Sequence, residues 1–358
     1  MFERIALTVI GIVLVVLALN DVFQSVIVPR AVGRGFRVSY LIWRGGWRFW
    51  PPLSFRLHAS NQEAREDFLA VFAPIALIAQ LILWSLLLVT GYGLIFWADA
   101  NAIRPPMHSF FQALYLAGAS YFTIGFGDFV GGSGWTRMWT IIAGASGFGV
   151  VGTTTAFLFA VFASFQTREQ FVVTVGARAG MPPSGVALLA IASHARIIDG
   201  LPGLMRDAQA WCAQLMETHL AYPVLAYFRS SHDYESWVGT LGTLLDAATL
   251  MMTTVQSDSG EARIFYEIGR HATRDLSRYF GYAAADEHDL VGITREEFDH
   301  ACDRLAHAGY TLHERERAWK NFSLLRRAYA APLNWLAHRF SIPPLQWIGD
   351  RSEVRSNH

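Results

Sequence analysis

The segment Thr123, Ile124, Gly125, Phe126, Gly127, Asp128 sets glycine at alternate positions behind a threonine and ahead of a carboxylate. Aiming successive backbone carbonyls to one side of a strand requires angles that ordinary L-residues resist. Glycine adopts them freely, which gives Gly125 and Gly127 a mechanical purpose. A ring of such carbonyls can replace the hydration shell that a bare cation gives up. The candidate ion-binding residues are therefore Thr123, Ile124, Gly125, Phe126 and Gly127. Within that set the Thr123 hydroxyl adds an oxygen below the carbonyls, and Ile124 and Phe126 point into the surrounding wall, where their bulk holds the ring at its working diameter. Asp128 stands at the outer mouth.

One such strand per chain cannot close a ring, and the sequence holds no second copy. Four chains are then required. The strand must also be held at membrane depth, since Phe110, Phe111, Leu114, Tyr115, Leu116, Tyr121 and Phe122 crowd the residues before it with apolar bulk. Non-helical backbone is tolerated at that depth only where protein or a watery cavity surrounds it. The flanks supply what crosses the bilayer, for which about 20 apolar residues are needed. Three stretches qualify: Ile5 to Val28, Phe68 to Ala98 and Met138 to Phe165. The first is interrupted by Asn20 and Asp21, so it either spans or enters partway. It is too long for a signal peptide, and no small-x-small cleavage site follows it before Pro29.

Between the first two spans Arg30, Arg34, Arg37, Arg44, Arg48, Arg56 and Arg65 outnumber Glu63, Glu66 and Asp67, whereas the next connection carries Arg104 as its base. Excess arginine marks the cytoplasmic side. The linker is expected inside, with Trp43, Trp47, Phe49 and Trp50 on a helix lying along the inner membrane surface. The sequence thus divides into a transmembrane segment (1–29), a cytoplasmic linker (30–67), a pore domain (68–165) and a cytoplasmic helical domain (166–358). The pore domain comprises an outer helix (68–98), a pore helix (108–122), the filter (123–128) and an inner helix (135–165). The expected class is an all-α membrane protein.

TIGFGD resembles the filter signature of the potassium channel superfamily: threonine, aliphatic, glycine, aromatic, glycine, aspartate. Span, helix, filter and span follow in that family's order, and Arg137 and Gly147 fall where its inner helix begins and hinges. Further text, QTREQFVVTVGARAGMPP and HLAYPVLAYFRSSHDYESW, is similar to a bacterial family described as potassium channel proteins. The resemblance implies a potassium-selective homotetramer in the lipid bilayer of the inner cell membrane, with permeant potassium ions and no cofactor. It names no regulatory ligand. The chain departs from the family at Phe126, which lacks a tyrosine hydroxyl, and at Phe122, where a second threonine is common. It departs again in the pore helix, where Tyr115, Leu116 and Ala119 replace tryptophans and an acid. Pore-helix support falls to Tyr115, Ser120 and Phe122, and the gating hinge to Gly147. Two other readings stay open: a weakly selective cation channel, and a non-conducting membrane-anchored signalling or scaffold subunit.

Composition narrows the rest. With 53% hydrophobic and 16% charged residues the chain is more apolar than a soluble domain, and a net charge of zero offers no basic surface for nucleic acid. Two distant cysteines, Cys212 and Cys302, read as packing residues. No span repeats arginine in the manner of a voltage sensor, no strand precedes a GxGxxG turn, and no nucleophile–base arrangement suggests an enzyme. Glu217, His219, His232 and Asp233 form a loose metal-capable cluster of weak spacing, and His219 is a candidate pH sensor. Gly144, Gly147, Gly149 and Gly152 suit either a hinge or close helix packing. Thr153, Thr154 and Thr155 either face the pore cavity or bond back to their helix. In the tail, Phe171, Val173 and Val175 alternate like a strand, Thr294 with Glu297 opens a helix that closes at Gly309, and the residues from Asp350 fray.

Overall fold

The computed structural model describes residues 1–28, 38–230, 235–283 and 293–348. Two compact units emerge, Met1–Ala59 with Val71–Phe162 and Ser60–Ala70 with Ala163–His358. The chain is an all-α membrane protein apart from one short ribbon. In order it forms α1 (Phe2–Val22), α2 (Val38–Tyr40), α3 (Gly46–Leu57), α4 (Gln62–Ala70), α5 (Phe72–Ala98), β1 (Ile103–Arg104), α6 (Phe110–Tyr121), β2 (Val130–Gly131) and α7 (Gly134–Ala179). The tail adds α8 (Gly185–His194), α9 (Leu201–Ala221), α10 (Trp237–Thr253), α11 (Gly260–Phe280), α12 (Arg295–His307) and α13 (Arg315–Arg339).

Among the described residues three helical stretches have the length and apolarity to cross a bilayer: Phe2–Ile27, Gln62–Ala98 and Gly134–Ala179. Between helices in lipid there is no hydrophobic drive, so close contact relies on small residues. Gly91 of α5 meets Gly11 and Val15 of α1, and a Cβ there would stand 2.8 Å from Val15 Cγ2 and 2.9 Å from the Gly11 carbonyl. Asp21, which interrupts the first apolar run, is 1% exposed. Its carboxylate accepts hydrogen bonds from Trp84 Nε1 at 2.6 Å and from the Ser39 backbone and hydroxyl at 3.1 and 3.0 Å. A buried carboxylate is costly unless so satisfied. The residue that weakens the span as sequence therefore fastens it to α5 and to the linker.

The aromatic linker behaves in two ways. Trp43 donates to Gln80 Oε1 at 2.5 Å, and Trp47 and Trp50 place their rings 5.0 and 5.7 Å from Phe72. Phe49 and Leu57 remain exposed. One side of α3 thus packs on the start of α5 while the other presents apolar rings, as an interfacial helix would. The outer helix begins at Phe72 rather than at Phe68. Pro74 lacks the N–H that would bond Ala70 and its ring crowds that carbonyl, so the chain breaks at Val71.

In the second unit α10 is buried nearly all round and packs against α8, α11 and α13. Its Asp246 accepts from Arg326 Nε at 3.0 Å and the Tyr329 hydroxyl at 2.7 Å, while Arg326 also donates to the Trp347 carbonyl at 2.5 Å. The Thr294–Glu297 capping box opens α12, and Gly309, with φ +95°, follows its end as expected. Burial pushes the Cys212 thiol up to about 12 and the Cys302 thiol to about 11, so both stay protonated packing groups. The residues from 349 onward, including the expected frayed end, lie outside the described part.

Two sequence expectations are corrected here. Phe171, Val173 and Val175 are helical, and the inner helix runs on from 165 to Ala179. The buried positions from 166 to 179 are Arg168, Val172, Val175, Gly176 and Ala179, and the three- and four-residue steps among them belong to a helix face. β-branched residues at alternate positions mimicked a strand because Val172 and Val175 belong to that stripe and Val173 does not.

Arg168, 4% exposed, donates to the Leu225 and Phe228 carbonyls at 2.9 Å each, and pairs with Glu169 at 2.9 Å. Its neighbour in space, Arg229, donates to the Ser341 carbonyl at 2.7 Å and pairs with Glu66 of α4 at 3.5 Å. His219 lies fully buried against Arg168, Nε2 to NH1 at 3.3 Å, and its Nδ1 donates to the Leu215 carbonyl at 2.8 Å. Burial, then the adjacent guanidinium, push this imidazole down to about 3. It stays neutral at physiological pH, which removes it as a pH sensor there. His232 and Asp233 lie outside the described residues, and among the described residues no metal-capable cluster of three forms.

The sign of the resulting linkage is fixed. Below about 6.5 the unfolded histidine takes a proton that the folded one refuses until about 3. Stability from this group is intact above 6.5 and falls through the window from 6.5 to 3, by about 1.4 kcal/mol per pH unit. His219→Gln should flatten that slope between pH 6.5 and 4.5, measured as the melting midpoint by tryptophan fluorescence; equal slopes in both proteins would refute the assignment.

Candidate functional site

The site is built outward from α6. Its N-terminus is closed by a capping box in which the Gln112 side chain accepts from the His108 and Ser109 backbone at 2.6 and 3.3 Å. Its last turn receives the start of the filter: Phe122 N–H bonds Gly118 at 2.9 Å, Thr123 bonds Ser120 at 3.0 Å and Ile124 bonds Ala119 at 2.8 Å. The C-terminal end of a helix carries partial negative charge, about half an electron, which favours a cation. The filter thus starts at the electronegative end of α6.

Thr123, Gly125 and Gly127 have φ of +55°, +63° and +82°, and Ile124 and Phe126 between them do not share that sign. Alternating handedness is what turns the carbonyls of a strand one way. Sequence assigned the special angles to the glycines alone. Thr123 adds a third, and a β-branched residue held there stores roughly 1–3 kcal/mol that its surroundings must offset. Residues 122–128 are all exposed within one chain, and a Cβ on Gly125 or Gly127 would meet nothing within 4 Å. Backbone angle, rather than space inside the chain, demands glycine at both.

Tyr115 does the bracing that the departures from the family pattern left open. Its ring stacks on Phe126 at 6.0 Å and 8°, meets Phe129 edge-on at 6.2 Å, and its hydroxyl faces the Asp128 carboxylate closely enough for the two to interact. One side chain therefore packs on the Phe126 ring and faces the Asp128 carboxylate. Ser120 acts through backbone, its carbonyl holding Thr123 while its hydroxyl bonds back to Leu116 at 2.7 Å. Phe122 packs edge-on against Tyr121 at 4.9 Å and leaves 53% of its surface exposed.

The exit of the filter is pinned by a ribbon that sequence reading missed. β1 and β2 pair antiparallel, Ile103 with Gly131 and Arg104 with Val130. Arg137, in the first turns of α7, donates to the Gly131 carbonyl at 2.9 Å, and Gly132 N–H bonds Ala102 at 2.8 Å. Two-residue strands carry no periodicity. The available signal was the pair Gly131 and Gly132, where a Cβ would come within 2.8 and 2.7 Å of backbone atoms.

Among Gly144, Gly147, Gly149 and Gly152 of α7, Gly147 has the tightest surroundings: a Cβ there would collide with the Tyr121 carbonyl at the end of α6. Gly144 sits in ordinary contact with Ser120, and Gly149 and Gly152 face open space. Hydrogen bonds flank this contact, Tyr92 to Ser146 at 2.9 Å and Ser85 with Tyr121 at 3.4 Å. Thr153 and Thr155 bond back to Gly149 and Val151 at 2.7 and 2.9 Å, while the buried Thr154 hydroxyl has no protein partner among the described residues. Gly147→Ala should force α6 and α7 apart at a cost of about 1–3 kcal/mol, seen as a lower melting temperature of the purified protein. An unchanged melt would contradict the close approach.

Comparison with known proteins follows this geometry. Residues 81–164 match the family model described as "Ion channel". The matched stretch takes in most of α5, all of α6, the filter and the first part of α7. The "Uncharacterized membrane protein YdjJ" of Bacillus subtilis (strain 168) is 23% identical over 186 residues, 51% of this chain and 54% of that relative. The chain thus spans about half the length of that relative. No solved structure matches. Family match and fold together support an ion channel, carried by an all-α membrane protein with a helical tail.

Proposed function

We propose that the chain is one subunit of a homotetrameric potassium-selective channel of the inner cell membrane. The observation that carries this reading is the alternation of left-handed backbone at Thr123, Gly125 and Gly127, begun at the C-terminus of α6 and lying inside the ion-channel match. In a ring of four, the carbonyls of Thr123 to Gly127 replace the hydration shell of potassium. Asp128 concentrates cations at the mouth, and no cofactor takes part. The exposed filter of the single chain suits a site completed by other copies. The arginine-rich linker and the tail are assigned to the cytoplasm. Gly147 is the proposed gating hinge, at the point where α7 rests on the end of α6.

A weakly selective cation pore is the second reading. It is favoured by Phe126, which braces through a stacked ring rather than a hydroxyl of its own, and by the half-exposed Phe122.

Flux of potassium against sodium through the purified protein in liposomes decides between them. Alanine at φ +63° costs roughly 1–2 kcal/mol per chain in every one of four chains, so Gly125→Ala should cut potassium flux at least tenfold. Unchanged flux in that variant would overturn the filter assignment, and equal passage of both ions through the native protein would favour the second reading. Tyr115→Phe keeps the stack on Phe126 and removes the hydroxyl that faces Asp128. It should lower the potassium-to-sodium ratio several-fold with little change in melting temperature, since a single polar contact contributes about 1 kcal/mol or less. A ratio equal to the native one would remove Tyr115 from the selectivity machinery.

A further inference from the structure

The tail contains a cavity of about 210 Å³ lined by Arg178, Leu188, Ile191, Ile197, Leu201 and Leu204. These residues come from the end of α7, from α8, from the turn after it and from the start of α9. Ala192 and Gly200 complete the lining, so every wall residue except Arg178 is apolar. Arg178 is exposed, and among the described residues no hydrogen bond or ion pair engages it. Its position in the last turn of α7 suits the helix dipole. That accounts for a cation at the helix end, and leaves an apolar cavity beside it without a purpose. Its mostly aliphatic walls offer few polar partners to the water that reaches it.

We infer that this cavity binds a soluble medium-chain carboxylate, its alkyl chain among Leu188, Ile191, Leu201 and Leu204 and its carboxylate on Arg178. Size sets the chain length. An apolar cavity of about 150 Å³ accommodates benzene, so one of about 210 Å³ suits roughly eight carbons. Charge sets the head group: a guanidinium pairs with a carboxylate in two parallel hydrogen bonds. A carboxylate of this chain length is soluble, and Arg178 is exposed, so the ligand can arrive from solution. On the channel reading, the site would tie a small amphiphile to the continuation of the pore-lining helix.

The test uses the full chain in lipid nanodiscs and octanoate fluorinated at its terminal methyl, with binding read as fluorine line broadening after subtraction of empty nanodiscs. The native protein should bind octanoate, and Arg178→Gln should weaken it about fivefold. Arg178→Glu should reverse the preference, so that octylammonium binds more tightly than octanoate. Arg178 is exposed, so neither change should disturb folding, and an unaltered melting temperature verifies this. Failure of octanoate to bind at millimolar concentration would overturn the proposal, as would equal binding to all three proteins. Equal affinity for octanoate and n-octanol in the native protein would do the same. Binding is read without ion flux, so an inert pore would count against the channel reading and leave this site standing.

Discussion

Every element around the filter answers one demand: a strand whose alternate residues are left-handed cannot hold itself. Thr123, Gly125 and Gly127 lie in that region and make no regular ladder. In a bilayer, water is not there to satisfy a loose backbone. Support therefore comes from three directions. The last turn of α6 accepts the N–H groups of residues 122–124, Tyr115 packs on Phe126 and faces Asp128, and the β1–β2 ribbon with Arg137 fixes the exit. The glycine at position 147 lets α7 approach the same end of α6. A change at any of these residues acts on the geometry of the strand.

The readable parts of this molecule were those written in local chemistry. Alternate glycines, uninterrupted apolar runs and the Thr294–Glu297 box each act over a few residues, so their types and spacing suffice. What escaped depends on contacts between distant residues. The 103–104 and 130–131 pairing joins segments on opposite sides of α6, and strands of two residues show no alternation. The dual role of Tyr115 requires knowing that Phe126 and Asp128 both come within its reach. The helical continuation to Ala179 was masked by a valine-rich stretch, in which β propensity competes with the buried stripe of residues 168, 172, 175 and 179. His219 has the residue type of a sensor, and only its burial against Arg168 shows that it cannot serve as one near neutrality.

Buried charge recurs in both units with one solution. Asp21 is satisfied by an indole and a serine, Asp246 by an arginine and a tyrosine hydroxyl, and Arg168 by backbone carbonyls as well as Glu169. Neutral donors and acceptors dominate at Asp21, and the ion pairs elsewhere are reinforced by hydrogen bonds to uncharged groups. Low dielectric makes such networks valuable when complete and costly when one member is missing. They trade stability for a defined arrangement at each helix contact.

The pairing of Glu66 with Arg229 also bears on how the chain is made. Glu66 precedes its partner by 163 residues, and Arg229 in turn donates to a carbonyl at Ser341. At a synthesis rate of 5–20 residues per second, roughly 8 to 33 s pass between the emergence of the two charges. During that interval all three apolar stretches have been translated, while α4 still lacks its counterpart. The segment leading into α5 therefore acquires its final fastening after the membrane helices exist.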